Sequence, residues 1–294
     1  MTRRPLLVVA IGGHALSPPT PEASLADERR AARNTGGELA ALAARGWRLL
    51  VVHGNGPQVG RLLGPDEDVS NLDIRVAQTQ GELGYLLVAA MEAAGAAPAL
   101  ALVTRVRVDP RTDPEADPLK PIGPVLPQRP AGPALPRPDG KGWRRAVPSP
   151  RPLAVLEQAQ IERLLEHGHL VAGGGGGIAV TAAGEPVSGV IDKDRVAALL
   201  AIALGAEALL IGTDVDAVQR QFGTPDAAPI RVLDGSGARA GLAAGDFAPG
   251  SMGPKVESAL DFAEATGRIA AIGALGQLEA VLDGASGTRI LASP

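Results

Sequence analysis

The sequence predicts an α/β fold built on buried strands of the parallel type, and three observations carry that prediction. Short continuous apolar runs recur along the chain, and stretches of helical composition separate them. Three runs end in glycine-containing polar loops: Gly12-Gly13-His14, His53-Gly54-Asn55-Gly56 and the five glycines at 173–177. With 294 residues and 45% apolar content, the chain can fill one large domain or two lobes.

Residues 6–11 (LLVVAI) read as the first strand. The run is too short for a signal peptide and closes on Gly-Gly-His instead of a small-residue cleavage site. Residues 23–45 have helical composition with an interruption at Thr35-Gly36-Gly37, and residues 47–52 form the second strand. Asp73 reads as the N-cap of a helix over 74–93, with Gln80, Glu82 and Tyr85 on its more polar turns. Residues 98–104 follow as the third strand. Pro152 is expected to open an amphipathic helix to His167, with His167 and His169 suiting the negative end of its dipole. Residues 170–172 make the strand that enters the five glycines. After a hairpin-like interval, Ile191-Asp192-Lys193-Asp194 stands at the mouth of an Ala/Leu helix. Residues 206–211 are the next strand, ending in Thr213-Asp214-Val215-Asp216. Pro254 suits the first position of a helix ending near Gly267, and residues 268–273, a short helix and residues 288–291 complete the lobe. The apolar stretch at 196–211 is broken by Glu207 and falls short of a bilayer span.

Between residues 109 and 152 the composition changes, with thirteen prolines that exclude a regular helix or a central strand. A segment of this length inside a compact domain is usually functional. It contains Lys120 in DPLKPIG and Trp143 beside Arg144 and Arg145, and it reads as a lid.

A net charge of −4 and only two Trp, one Tyr and three Phe provide neither a basic stripe nor a stacking platform, so nucleic acid is excluded as a partner. Cysteine is absent, which excludes disulfides and thiolate metal sites and is compatible with a reducing, cytoplasmic setting. A soluble protein without membrane association is expected.

The stretch from 170 to 204 carries the chemistry. Glycines lack Cβ atoms, so their backbone N–H groups can close on a multiply charged ligand at positive φ. Lys193 sits where a helix begins and the dipole favours an anion. Phosphate is the natural guest, and a flexible loop in a glycine-biased chain is the plain alternative. No G-x-x-x-x-G-K-[ST] occurs, and Ile178 stands where a G-x-G-x-x-G starting at Gly173 requires glycine. The chain has 28 basic residues, of which only those at 120, 141, 193 and 255 are lysine. Lys120, Lys193 and Lys255 lie in motif-like settings, which suits sites that need a compact point charge. Asp214 and Asp216 could hold Mg2+ through water, bind a ribose hydroxyl, or serve as ordinary turn caps.

In order, the segments AIGGHAL, VVHGNGPQVG, TQGELGY, DPLKPIG, GWRRAVPSP, GGGGGIAV, GVIDKD, TDVD and GSMGPK, with a C-terminal GT-x-I, resemble the carbamate kinases of the amino-acid kinase superfamily. DPLKPIG and GWRRAVPSP belong to the lid that marks this branch. The resemblance implies a three-layer αβα sandwich around a mainly parallel sheet. It places a carbamate and carbamoyl-phosphate lobe at 1–209, with the lid inserted at 109–150, and a nucleotide lobe at 210–294. It implies Mg2+-dependent phosphoryl exchange between ATP plus carbamate and ADP plus carbamoyl phosphate, in arginine metabolism, by a cytoplasmic homodimer.

By the same resemblance, Gly12, Gly13, His14, Gly54, Asn55, Gly56, Gly174, Gly175 and Gly176 surround the phosphoryl and carbamate groups. Lys120 reaches in from the lid, Lys193 and Lys255 neutralise phosphoryl oxygens, and Asp194 orients those lysines. Asp214, Asp216, Met252 and Gly253 lie with Lys255 toward the nucleotide, and Mg2+ is held mainly through phosphates and not by protein side chains. A carbamate oxygen is already anionic, so the reaction needs in-line positioning and positive charge more than a general base. Three positions depart from the family pattern: His14 for asparagine, Ala179 for proline and Gln219 for an aromatic residue. A kinase of another small carboxylate and a catalytically silent nucleotide or metabolite sensor are the alternatives on the same fold.

Overall fold

The computed structural model describes residues 4–16, 24–63, 69–109, 119–137, 140, 142–220, 222, 226–248 and 250–293, with His14 described by its backbone alone. The first half runs β1 (Leu6–Ile11), α1 (Leu25–Ala44), β2 (Arg48–His53), α2 (Gly56–Leu62), α3 (Leu72–Ala93), β3 (Ala99–Ala101) and β4 (Arg105–Val108). The lid contributes β5 (Leu119–Leu126), β6 (Ala134–Pro136) and β7 (Trp143–Pro148). Then come β8 (Pro152–Val155), α4 (Gln158–Leu164), β9 (His169–Val171), β10 (Ile178–Val180), α5 (Lys193–Ala203) and β11 (Ala208–Thr213). The chain ends with β12 (Gln219–Arg220), β13 (Ala228–Pro229), β14 (Val232–Leu233), α6 (Gly235–Ala244), α7 (Met252–Thr266), β15 (Ala270–Ala274), α8 (Leu278–Asp283) and β16 (Thr288–Ile290).

Eight strands form one sheet in the order β14-β16-β15-β11-β1-β2-β9-β3, parallel throughout except for β15 against β16. Strand pleating explains why β1 is apolar at every position. Leu6, Val8 and Ala10 face one layer with Val196 and Leu200 of α5 and Phe262 of α7. Leu7, Val9 and Ile11 face the other layer with Leu39 and Leu42 of α1 and Leu83 and Leu87 of α3. The αβα sandwich therefore follows from strands buried on both faces.

Four local expectations are corrected. Helix α1 runs unbroken through Thr35-Gly36-Gly37, because α3 crosses so close that a Cβ on Gly36 would lie 2.8 Å from the Ala90 carbonyl carbon. Asn71 is the N-cap of α3, and Asp73 lies inside its first turn, where its charge suits the dipole. Pro152 opens a strand instead of a helix: β8 pairs antiparallel with β4, Val155 opposite Val106, and α4 begins only at Gln158. Pro254 is the third residue of α7, still among the first-turn positions that lack an intrahelical acceptor.

The lid is a three-stranded antiparallel sheet, β5-β7-β6. Its prolines obey the ladder rule: Pro121 and Pro124 lie in edge strand β5 and Pro136 in edge strand β6, while central β7 carries only the terminal Pro148. Residues 110–118, 138, 139 and 141, including Lys141, lie outside the described residues. The lid is seated through a separate apolar cluster in which Ile122 and Val147 meet Val59 and Leu63 of the α2 segment and Val76 of α3. At its centre Gly60 packs directly on the Gly123 backbone, and a Cβ on Gly60 would also come within 2.8 Å of the Ile122 carbonyl carbon. Gly60→Ala is therefore expected to destabilise the protein by about 1–3 kcal/mol through overpacking against backbone that cannot yield. Because β5 carries Lys120, turnover should fall more than stability suggests. Denaturant midpoints and initial rates check this, and a fully active, fully stable variant would contradict the packing.

Candidate active site

The four central strands β11, β1, β2 and β9 are parallel, so the segments after Ile11, His53, Val171 and Thr213 leave from one edge of the sheet. The chain builds outward from β1 through β2 toward β3, then crosses to β11 on the other side of β1. Such a reversal of strand order opens a crevice at the carboxyl ends of the strands. A Cβ on Gly54 would stand 2.6 Å from the Gly13 nitrogen and 3.3 Å from Lys193 Cδ, so only glycine permits this approach. The glycine loop folds into the same space with Gly173, Gly175, Gly176 and Gly177 at φ between +62° and +83°. Gly174 packs on the His53 ring, Gly175 on the Asn55 amide and Gly176 on the Ile191 carbonyl. The structure thus brings together Gly12, Gly13, Gly54, Asn55, Gly56, Gly174, Gly175, Gly176 and Lys193. His14 lies in the turn Gly13–Ala15, and its side chain is outside the described residues.

Three lysines from three distant segments meet two aspartates here. Lys193 Nζ donates to Asp194 Oδ1, and Lys255 Nζ, from the first turn of α7, donates to Asp194 Oδ2 at 2.9 Å. Lys120 Nζ reaches from the lid to Asp192 Oδ2 at 3.2 Å and to the Ile191 carbonyl at 3.1 Å. The remaining Asp192 oxygen accepts from the N–H groups of Asp194 and Arg195, at 2.8 and 3.3 Å. The sequence reading left these N–H groups to an anion, and this is a correction: Asp192 caps them. The positive charge therefore comes from the lysines: three ammonium groups meet two hydrogen-bonded carboxylates, and the exposed Asp214 acts on Lys255 from further away.

Burial sets the titration of this cluster. Lys193 is 5% exposed, and desolvation pulls its ammonium down to about 8, against the attraction of Asp194. Burial would raise the Asp194 carboxyl, but Lys193 and Lys255 outweigh it and hold the group below the usual carboxylate range. Lys255 is likewise opposed by burial yet held above the ordinary value, chiefly by Asp194 and with help from Asp192 and Asp214. Since a charged Lys193 is the form that attracts an anion, kcat/KM for a phosphorylated substrate should decline as pH rises through about 8. The limb should lie at higher pH in kcat, because a bound anion favours the ammonium. A pH profile of both constants checks this, and a flat kcat/KM up to pH 10 would contradict it.

Asn55, named from the sequence, has neighbours that the sequence did not single out. Asn55 is held by its Nδ2 donating to Thr79 Oγ1 at 2.9 Å, while its Oδ1 is buried with no hydrogen-bond partner among the described residues. Gln58 Oε1, on α2, is buried in the same condition. His53 is fully buried, and desolvation lowers its pKa to about 4, so it is neutral with Nδ1–H donating to the Gly54 carbonyl. His169 is corrected as well: it lies buried in β9 and its Nδ1 accepts from the Leu49 N–H, so it does not cap a helix. Asp192 stood in the sequence beside Lys193 without a role assigned to it, and Thr79 and Gln58 lay within TQGELGY and VVHGNGPQVG without being singled out.

On the other side of the crevice, Asp214 is exposed at the end of β11, accepts from the Thr213 hydroxyl at 3.1 Å and is close enough to act on Lys255. Met252 and Gly253 open α7 beside Lys255. Asp216 is exposed, and among the described residues no hydrogen bond or ion pair joins it to the lysines. Ala179 is buried in β10 and Gln219 is half-buried in β12. Among the described residues no group of three or more His, Asp or Glu is placed to hold a metal ion, and no helix is long and apolar enough to cross a membrane.

A buried lysine cluster beside a glycine cradle, at the switch point of a parallel sheet, defines a protein that handles phosphorylated ligands. The amino acid kinase family model matches residues 5–272, and the chain belongs to that family. Within the family it sides with the carbamate kinases. It is 40% identical over 301 residues to the carbamate kinase of Halobacterium salinarum, covering 97% of each chain. Two solved structures of Giardia lamblia carbamate kinase, one bound to citric acid and one to AMP-PNP, superpose with TM-scores of 0.89 and 0.85. Each is 30% identical to this chain and covered in full.

Proposed function

We propose that the chain catalyses reversible phosphoryl transfer between ATP plus carbamate and ADP plus carbamoyl phosphate. The observation that carries this reading is the convergence of Lys120, Lys193 and Lys255 on Asp192 and Asp194, beside the Gly12, Gly54 and Gly174 loops. Three ammonium groups held in place by two carboxylates attract an anion without demanding that the protein reorganise. In this reading the residues at 1–209 hold the carbamate or carbamoyl phosphate, and those at 210–294 hold the nucleotide. The N–H groups of the glycine loops and Asn55 orient the carbamate in line with the γ-phosphorus. Lys193 and Lys255 meet the equatorial oxygens of the transferred group, with Asp194 fixing both ammonium groups. Lys120 brings its charge when the lid is seated. No general base is required, because the attacking carbamate oxygen is already ionised.

Mg2+ bound with the nucleotide would add positive charge at the phosphates, and Asp214 is the side chain at the nucleotide end that could contact it. Its exposed carboxylate beside Lys255 fits a water-mediated contact and not a dedicated cage. A cytoplasmic homodimer serving arginine metabolism completes the reading. The cysteine-free sequence is compatible with that setting.

The test is ATP formation from ADP, Mg2+ and carbamoyl phosphate, with acetyl phosphate as a control donor and His14→Asn alongside. Robust ATP from carbamoyl phosphate supports the reading and makes His14 a tolerated variation. No ATP from the natural protein, with activity gained in His14→Asn, would favour a different acid or a silent sensor.

A further inference from the structure

The five-glycine loop is the costliest part of the site to order, since each glycine loses more backbone freedom on folding than any other residue. Both of its ends are tied to one residue on another segment. At the entrance, the Gly173 N–H donates to Thr104 Oγ1 at 3.1 Å. At the exit, the Ile178 N–H donates to the Thr104 carbonyl at 2.9 Å. Thr104 is itself gripped by the Gln80 side chain of α3. Gln80 Oε1 accepts from the Thr104 N–H at 2.9 Å and from its hydroxyl at 3.1 Å, while Gln80 Nε2 donates to the Thr104 carbonyl at 3.2 Å. Both residues are buried, Thr104 completely.

This arrangement uses the Thr104 hydroxyl in both senses: it accepts from the loop and donates to Gln80. It also fixes the Gln80 amide, because only one orientation puts oxygen on the N–H and nitrogen on the carbonyl. Within the loop, the N–H groups of Gly176 and Gly177 close the turn onto the carbonyls of Gly173 and Gly174. The turn itself offers no acceptor to the N–H groups of Gly174 and Gly175, the pair pressed against His53 and Asn55.

We propose that Thr104 and Gln80 form a clamp that positions the glycine loop for phosphoryl transfer, acting through the loop and not by touching substrate. The inference rests on the functional reading above. It makes them positioning residues whose loss shows in turnover, with fold stability affected less. Thr104→Val keeps the shape but removes the hydroxyl, whereas Thr104→Ser keeps the hydroxyl.

The experiment measures kcat and KM for carbamoyl phosphate and ADP, with thermal unfolding, in the natural protein, Thr104→Val, Thr104→Ser and Gln80→Met. The clamp predicts a kcat about ten- to a hundred-fold lower in Thr104→Val, since small misplacement of a reacting geometry has effects of that order. KM for ADP should stay within about two-fold, because the nucleotide side is not held by the clamp. Thr104→Ser should recover most of the rate, and Gln80→Met should resemble Thr104→Val. A natural kcat per folded molecule in Thr104→Val, with only a lowered melting point, would overturn the proposal and leave a structural role. Equal impairment of Thr104→Ser and Thr104→Val would also overturn it, by placing the effect in the methyl group. Failure of the natural protein itself to make ATP would overturn the functional reading and the clamp together, a result distinct from an active protein with an indifferent Thr104.

Discussion

Lys193→Ala is expected to lower kcat for ATP formation from carbamoyl phosphate and ADP by about a thousand-fold or more, with the fold retained. The size follows from where the ammonium lies. It is almost fully buried, its stem runs within contact of the space over Gly54, and burial pulls its pKa down to about 8. A charge in such a place acts on an anion far more strongly than a surface lysine does. The fold should survive because removal leaves Asp194 still paired with Lys255, and Asp192 still paired with Lys120. No buried carboxylate is stranded, and alanine has high helix propensity at the start of α5. Lys193→Arg should not rescue, since the guanidinium fork is bulkier and the Lys193 stem already passes 3.3 Å from where a Cβ on Gly54 would stand. Steady-state kinetics with circular dichroism decides the matter. Turnover within ten-fold of the natural enzyme would remove Lys193 from the mechanism.

How far this site could be read from the sequence depends on the range of the interactions that build it. The strand-then-glycine pattern announced the sheet edge, because a buried parallel strand and a backbone approach each leave a local signature in apolar runs and absent side chains. The four-lysine bias singled out Lys120, Lys193 and Lys255, which the structure brings to one pair of aspartates. What stayed hidden depends on partners remote in sequence. Thr104 sits 69 positions from the Gly173 amide that it accepts, and nothing in VTRV marks it. Pro152 carried a local helix-opening signal, yet pairing of β8 with β4 overrode it. Gly36 of α1 looked like part of a break because its reason lies on α3, in the close passage of Ala90.

Asp194→Ala should be the opposite case, losing both turnover and stability, because here the partner that is removed serves two buried lysines. Lys193 and Lys255 each donate to one of its oxygens. Without it two ammonium groups face each other in a dry site, with Asp192 and Asp214 the nearest negative charges. Stranding buried charge in this way costs about 3–5 kcal/mol. Asp194→Asn keeps the shape and a single acceptor oxygen, so it should recover part of the stability but not the rate. The pH dependence separates this charge effect from lost packing. In the natural protein the Asp194 carboxyl lies below its unfolded value, so its contribution is present above the ordinary carboxylate range and is lost as pH falls through the depressed folded value. The variants should therefore lack part of the natural protein's acid limb. They should regain stability as pH rises, and from a lower pH than the value of about 8 that Lys193 has in the natural protein, since Asp194 no longer holds its proton and the neutral amine relieves the repulsion. Inorganic phosphate should stabilise Asp194→Ala more than the natural protein, replacing the missing negative charge between the two ammonium groups. Denaturant midpoints across pH, with and without phosphate, test the chain of reasoning. A variant destabilised equally at every pH and indifferent to phosphate would show that Asp194 is held for its packing and not for its charge.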